Sequence, residues 1–273
     1  MLETIGEAFL AVANARHQAA VVALGNAVRP VYRADDRGRP DHEGSCILLH
    51  LRNTKYVLTA SHVIEAGANC DSNLYIGGER KFVKMSGICY RSPAPDGVLK
   101  DRFDFALMPL SDDDISSLGA VNYITEATLS KAQARSKGHV YSVIGYPNTK
   151  NRGIDEQRSA APSNRWSYFS VSRDGTEVSR KIKVDGDQHI FIGYDKYSLD
   201  AAGKRVTAVR TKGVSGGAVI DLGRLSDPEA LDPEASFTPR LAGLFVEYHK
   251  DKRIMVATRI GFILDSLERA GAL

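Results

Sequence analysis

Short apolar runs recur along most of this chain, and Gly, Pro, Asp or Asn cuts nearly every one after a few residues. The strand candidates are Cys46–Leu51, Tyr56–Thr59, Asn73–Ile76, Phe82–Met85, Ile88–Tyr90, Phe105–Leu110, Val140–Gly145, Tyr168–Val171, Lys181–Val184, His189–Tyr194, Ala208–Arg210, Ala218–Asp221, Leu241–Glu247 and Ile254–Thr258. Many short strands with few helices predict an all-β barrel or sandwich rather than an α/β sheet. Helices are expected at the two ends. Over 2–24, Leu2, Ile5, Phe9, Val12, Val21, Val22 and Leu24 are spaced mostly by three or four among alanines. Over Ile260–Ala270, Ile263, Leu264 and Leu267 form one apolar face. Pro30 and the polar run Ala34–Gly44 read as a loop, and 125–138 as a linker.

The chain has 273 residues, 43% apolar and 25% charged, with a formal charge of +3. These are the proportions of an ordinary globular protein with a substantial core. The small charge and the lack of a dense basic block give no reason to expect nucleic acid. Arg205, Arg210 and Lys212 cluster before Ser215, where a solvated loop is favoured over a charged binding patch. No apolar run reaches the length of a membrane span, and the N-terminus has no basic start of a signal peptide. Cys46, Cys70 and Cys89 fit neither a zinc site nor a dense disulfide framework. Free thiols and a reducing, cytoplasmic setting are expected. His17, His42, His50, His139, His189 and His249 show no metal-ligand spacing, so neither a metal nor another cofactor is expected.

Three short segments carry chemistry. A serine hydroxyl needs a base to take its proton, and histidine suits that role near neutral pH. The histidine needs an acid to fix its tautomer, and the oxyanion formed needs N–H donors. His62 ends Thr59-Ala60-Ser61-His62, directly after a strand candidate. Asp104 opens Asp104-Phe105-Ala106-Leu107 at the head of another, with Asp101 a weaker neighbour. Ser215 lies in Gly213-Val214-Ser215-Gly216-Gly217, where missing side chains permit a sharp turn and a close approach. Each alone has a plainer reading: a half-buried histidine, a turn aspartate, a glycine-rich hairpin. Occurring together, in this order, they outweigh those readings.

The order and the flanking residues resemble the trypsin-like, chymotrypsin-fold serine peptidases over roughly residues 28–270. Leu241-Ala-Gly-Leu-Phe245 and Ala257-Thr-Arg-Ile260 are similar to the family's strand after the nucleophile and its closing strand. The resemblance implies two six-stranded antiparallel β-barrels, at 28–130 and 131–259, with a helical extension at 1–27 and a closing helix at 260–273. It implies a serine endopeptidase acting on a polypeptide: Ser215 the nucleophile, His62 the general base, Asp104 its orienting acid, and the N–H groups of Gly213 and Ser215 the oxyanion hole. Val209, Arg210, Phe245, Val246 and Glu247 are the candidate specificity-pocket residues, and they leave the preferred side chain open. Val214 stands where the secreted animal branch has an aspartate, so activation by a new N-terminal amine is not expected. The bacterial HtrA-like and glutamyl-endopeptidase-like branches are closer, here without a PDZ domain.

Other readings use the same residues. An α/β-hydrolase needs a helix after its serine and the order Ser, acid, His. Gly216-Gly-Ala-Val-Ile-Asp221 reads as strand, and the only later histidine is His249. A protease-fold binding or sensing module is a second option. A third is a peptidase held inactive until a regulatory protein binds, with 2–24, 148–165 and 195–205 as control elements.

Overall fold

The computed structural model describes residues 4–34, 40–64, 74–79, 81–85, 87–92, 102–130, 137–151, 164–184, 186–199, 205–232 and 235–273. Asp101, Cys70 and parts of the 125–138, 148–165 and 195–205 segments lie outside these residues.

Two antiparallel sheets dominate. The first holds eight strands: β1 Val28–Ala34, β2 Pro40–Leu51, β3 Thr54–Thr59, β4 Leu74–Gly77, β5 Phe82–Lys84, β6 Tyr90–Arg91, β7 Ala106–Pro109 and β8 Ile124–Thr125. Their order is β5-β4-β1-β2-β3-β7-β6, and β8 lies parallel to β2 at Leu49 and His50. The second runs β10-β9-β14-β15-β16-β11. Here β9 is His139–Gly145, β10 Trp166–Val171, β11 His189–Gly193, β14 Ala218–Arg224, β15 Arg240–His249 and β16 Ile254–Arg259. A separate hairpin pairs β12 Tyr197–Leu199 with β13 Arg205–Thr207. The second sheet has the six strands that the resemblance implies. The first gains two two-residue pieces, because the twelve-residue β2 offers β8 a free segment and β6 extends the edge beyond β7.

The all-β expectation with terminal helices holds, and four local readings change. Pro30, Ala34 and Pro40–Gly44 are strand rather than loop, and 35–39 lie outside the described residues: β2 begins at Pro40 and pairs with β1 from Val28↔Ile47 to Ala34↔Pro40. Asp41 and Glu43 face solvent while His42 and Gly44 face inward. That is period-two alternation hidden by polar composition. Lys181–Val184 is not a strand; helix α3, Thr176–Ile182, covers its start and Lys183 closes it in the left-handed region. Ala208–Arg210 is irregular, with the short strand displaced to β13. An unforeseen helix α2, Asp112–Leu118, starts at a capping box in which Ser111 and Asp114 satisfy each other's backbone N–H. Between β2 and β3, Arg52 and Asn53 have φ of 46° and 68°, the tight two-residue hairpin turn.

One apolar core joins both sheets. Ile47, Leu49, Leu58 and Leu107 of the first pack with Val140, Ile144, Ala218 and Ile220 of the second. Helix α4, Ile260–Arg269, adds Ile263 and Leu267. Helix α1, Ile5–Leu24, closes the other side with Val12, Ala13, Ala20 and Leu24. Its Ile5 and Val22 are exposed, 82% and 79%, so its inward face is narrower than its apolar spacing suggests. Polar contacts complete the docking. Arg16 donates to the carbonyls of Leu222 and Ala230 at 3.0 Å each. Among the described residues no helix is long and apolar enough to cross a membrane.

His17 is a buried polar group of this seam. Its Nδ1 is 2.8 Å from Ser142 Oγ and its Nε2 3.1 Å from Ser167 Oγ. Burial holds its pKa down at about 4. The unfolded chain binds the proton near pH 6.5 and the folded chain does not, so stability falls as pH drops from about 6.5 toward about 4. The full effect is on the order of 3 kcal/mol. Urea unfolding at pH 7 and pH 5 checks it: His17→Gln narrows the difference between the two pH values. An unchanged difference assigns the acid sensitivity to other groups.

Candidate active site

The segment after β3 turns through Ser61–Val63, a single 3₁₀ turn that places His62 at the strand end. Asp104 sits just before β7, which pairs with β3 through Thr59↔Ala106. This pairing brings the two side chains together. Asp104 uses both carboxylate oxygens: Oδ1 accepts the His62 backbone N–H at 2.9 Å, and Oδ2 accepts the ring Nδ1–H at 2.5 Å. The Asp104 carbonyl also accepts the Ser61 N–H at 3.1 Å. With Nδ1 donating, the neutral ring carries its lone pair on Nε2, the tautomer a general base needs. The carboxylate is largely covered, 14% exposed, while the imidazole is 54% exposed.

Asp104 has φ of 51°, a left-handed conformation uncommon outside glycine. Such geometry persists when neighbours hold it, and it concentrates at functional sites. The supports are visible here. On the strand side, Ser92 Oγ accepts the Phe105 N–H at 2.9 Å. Toward the second sheet, buried Thr258 donates to the Phe103 carbonyl at 2.6 Å and buried His189 to that of Arg102 at 3.1 Å. Phe103 stacks on His189 at 5.8 Å and packs on Phe262 of α4. The acid is thus positioned by both halves of the molecule.

Ser215 approaches from the second sheet, in the loop before β14. Its carbonyl accepts the Ser45 N–H of β2 at 2.8 Å. Thr59 Oγ1 donates to the Ser45 carbonyl at 2.7 Å, so the serine loop and the strand leading to His62 rest on the same β2 segment. The glycines permit this closeness. Gly216, with φ of 86°, lies so near β2 that a Cβ there would fall 1.9 Å from the Ser45 carbonyl oxygen. A Cβ on Gly44 would meet Val63 at 2.7 Å and the Ser215 carbonyl at 3.1 Å. The Ser215 hydroxyl donates to the Val246 carbonyl at 2.9 Å, so its proton has to leave that carbonyl before it can pass to a base. The N–H groups of Gly213 and Ser215 donate to no protein acceptor among the described residues.

The remaining candidate residues are spread around this centre. Phe245 is fully buried in the second sheet's core, and its backbone exchanges hydrogen bonds with Gly216 and Gly217 at 2.8 Å. Val246 contributes its carbonyl. Glu247 is partly exposed and lies 2.9 Å from His249. Arg210 is exposed, and the Val209 carbonyl accepts from the Tyr194 hydroxyl. Val214 is fully buried against Gly145, an apolar setting. Cys46 is a buried free thiol with its pKa pushed up to about 12 by burial, and the partly exposed Cys89 donates its S–H to the Tyr90 carbonyl at 3.8 Å. Among the described residues no three His, Cys, Asp or Glu side chains gather as a metal site requires. The supporting residues Ser45, Ser92, His189 and Thr258 carried no sequence signal beyond being polar within or beside apolar strands.

No protein-family model matches the chain, and no curated protein matches it. Solved structures do. The serine endoprotease from Yersinia pestis superposes with a TM-score of 0.51 at 13% identity, over 93% of this chain and 65% of that one. A variant of the HtrA-type protease AlgW with a tripeptide gives 0.50 at 15%, over 92% and 62%. The structure of GrC gives 0.51 at 13%, over 91% and 95%. This chain therefore spans less than two thirds of the first two. At such identities the likeness establishes the fold, the chymotrypsin-type fold of serine peptidases.

Proposed function

We propose that this protein is a serine endopeptidase that cleaves polypeptides through an acyl-enzyme on Ser215. The observation that carries the reading is the two-point grip of Asp104 on His62, beside a glycine-flanked serine seated on the same β2 segment. Two fold neighbours, a serine endoprotease and an HtrA-type protease, support it.

In this reading Ser215 Oγ attacks the peptide carbonyl carbon while His62 Nε2 takes its proton. Asp104 stabilises the imidazolium that forms. The Gly213 and Ser215 N–H groups receive the oxyanion. His62 then gives its proton to the departing amine, and water releases the acyl group by the reverse sequence. The buried, apolar Val214 supports an enzyme that needs no N-terminal amine to arm it.

A fluorophosphonate probe tests the assignment without knowledge of the substrate. The expected result is covalent labelling of wild type at Ser215, confirmed by peptide mapping and lost in Ser215→Ala. A well-folded, unlabelled wild type would favour a protease-fold binding module or a peptidase awaiting a partner.

A further inference from the structure

We infer that Asn148 and His42 clamp the Lys212–Gly213 peptide so that the Gly213 N–H stays available to an oxyanion; the inference rests on Ser215 being the nucleophile. A trans peptide is planar, with its C=O and N–H pointing to opposite sides. The Lys212 carbonyl accepts the Asn148 backbone N–H at 2.8 Å. The Gly213 N–H in the same plane therefore points away from Asn148. A half-turn of this peptide breaks the Asn148 bond and turns the Lys212 carbonyl to the side where the N–H was. Gly213, with φ of 91°, offers little resistance of its own to such a turn. The restraint has to come from outside the loop.

Asn148 follows β9, and its side chain fills the space beside Gly213. A Cβ at residue 213 would lie 1.8 Å from Asn148 Oδ1 and 2.8 Å from His42 Cε1. The asparagine is fixed from the first sheet: His42 Nδ1–H donates to Asn148 Oδ1 at 2.8 Å, and Asn148 Nδ2 donates to the His42 carbonyl at 3.2 Å. Since a carbonyl oxygen only accepts, this pairing assigns the His42 proton to Nδ1. Its Nε2 is then a buried acceptor, without a hydrogen-bond partner among the described residues and with the ring edge-on to Tyr32 at 5.3 Å. On the far side, Ser45 Oγ donates to the Gly213 carbonyl at 3.0 Å and accepts the Tyr146 N–H at 2.9 Å. Both carbonyls flanking Gly213 are thus pinned. His42 and Ser45 belong to β2, whereas Asn148 and Gly213 belong to loops of the second sheet. The orientation of the oxyanion peptide is thereby coupled to the docking of one sheet on the other, and His42 and Asn148 are positioning residues.

The test compares wild type, Asn148→Ala, His42→Ala and His42→Asn as full chains, folding checked by circular dichroism. The readouts are the rate of Ser215 phosphonylation by a fluorophosphonate and p-nitrophenyl acetate hydrolysis. Loss of one oxyanion donor costs about 10²–10³ in turnover, so a loosened one is expected to cost about 10–100-fold in kcat with KM within about threefold. His42→Asn, whose Nδ2–H replaces the ring donor, is expected to recover most of the loss. If His42→Ala does not fold, Asn148→Ala and His42→Asn carry the comparison. A folded Asn148→Ala with wild-type kcat, or one altered only in KM, overturns the clamp while labelled wild-type Ser215 leaves the peptidase reading standing. Absence of labelling in wild type overturns the nucleophile assignment and the clamp with it.

Discussion

Ser215→Ala is expected to lower peptide-bond hydrolysis by about 10⁴–10⁶-fold with the fold intact. The chemical loss is complete, because alanine has no oxygen to attack with or to carry the acyl group. The structural loss is small. The hydroxyl makes one hydrogen bond, to the Val246 carbonyl, at a partly buried position. The loop is held instead by its backbone: Ser45 N–H on the Ser215 carbonyl, Gly216 N–H on that of Phe245, Gly217 N–H on that of Val214, each at 2.8 Å. The residual rate comes from the oxyanion donors and binding, which the substitution leaves in place. Cleavage of a peptide library by both proteins, with matched thermal melts, measures the effect. Activity within tenfold of wild type would show that another nucleophile is responsible, and an early melt would show that the loop needs the hydroxyl for stability.

The candidate reacting groups stood out in the sequence more clearly than their supports, for a physical reason. His62, Asp104 and Ser215 each stand at the end of an apolar strand or in a glycine turn, and strand ends are visible as changes in pattern. The strands that hold them, β3, β7, β9, β14, β15 and β16, were legible because each carries a short, mostly apolar buried run, such as Tyr56-Val-Leu58, Ala106-Leu-Met108 and Ala218-Val-Ile220. β1 and the start of β2 were not, because Asp41, His42 and Glu43 read as loop until pairing with β1 gives them alternate faces. Helix α1 was found from its apolar spacing, yet much of what docks it is Ala13, Ala20, Arg16 and His17. Small residues and satisfied polar ones leave no hydrophobic signature. The same holds around the site. His189 and Thr258 sit inside apolar strands, and their contacts with the segment before Asp104 join residues far apart in the chain. A tether of that kind exists only once the two sheets have met.

Asp104→Asn is the sharper test, because it changes almost nothing except where a proton sits. Asparagine is isosteric with aspartate and accepts left-handed backbone nearly as well, so φ of 51° is retained without new strain. The Ser61 N–H to residue 104 carbonyl bond also survives, since it is backbone to backbone. The side chain differs in having one acceptor where the carboxylate has two. Asp104 now receives both the backbone N–H and the ring Nδ1–H of His62. An amide oxygen kept on the backbone N–H turns the amide NH₂ toward Nδ1. The ring then accepts at Nδ1 and carries its proton on Nε2, where the serine proton must go. The opposite amide orientation saves the tautomer, but it sets the NH₂ against the backbone N–H and removes the negative charge that steadies the imidazolium. Either way kcat is expected to fall by about 10⁴-fold, with KM and the melting temperature close to wild type. NMR of the His62 ring nitrogens distinguishes the two orientations by the site of the proton. A loss below about tenfold would be too small for a wrong tautomer, and the orienting role would pass to another acid, with Asp101 the nearest in sequence.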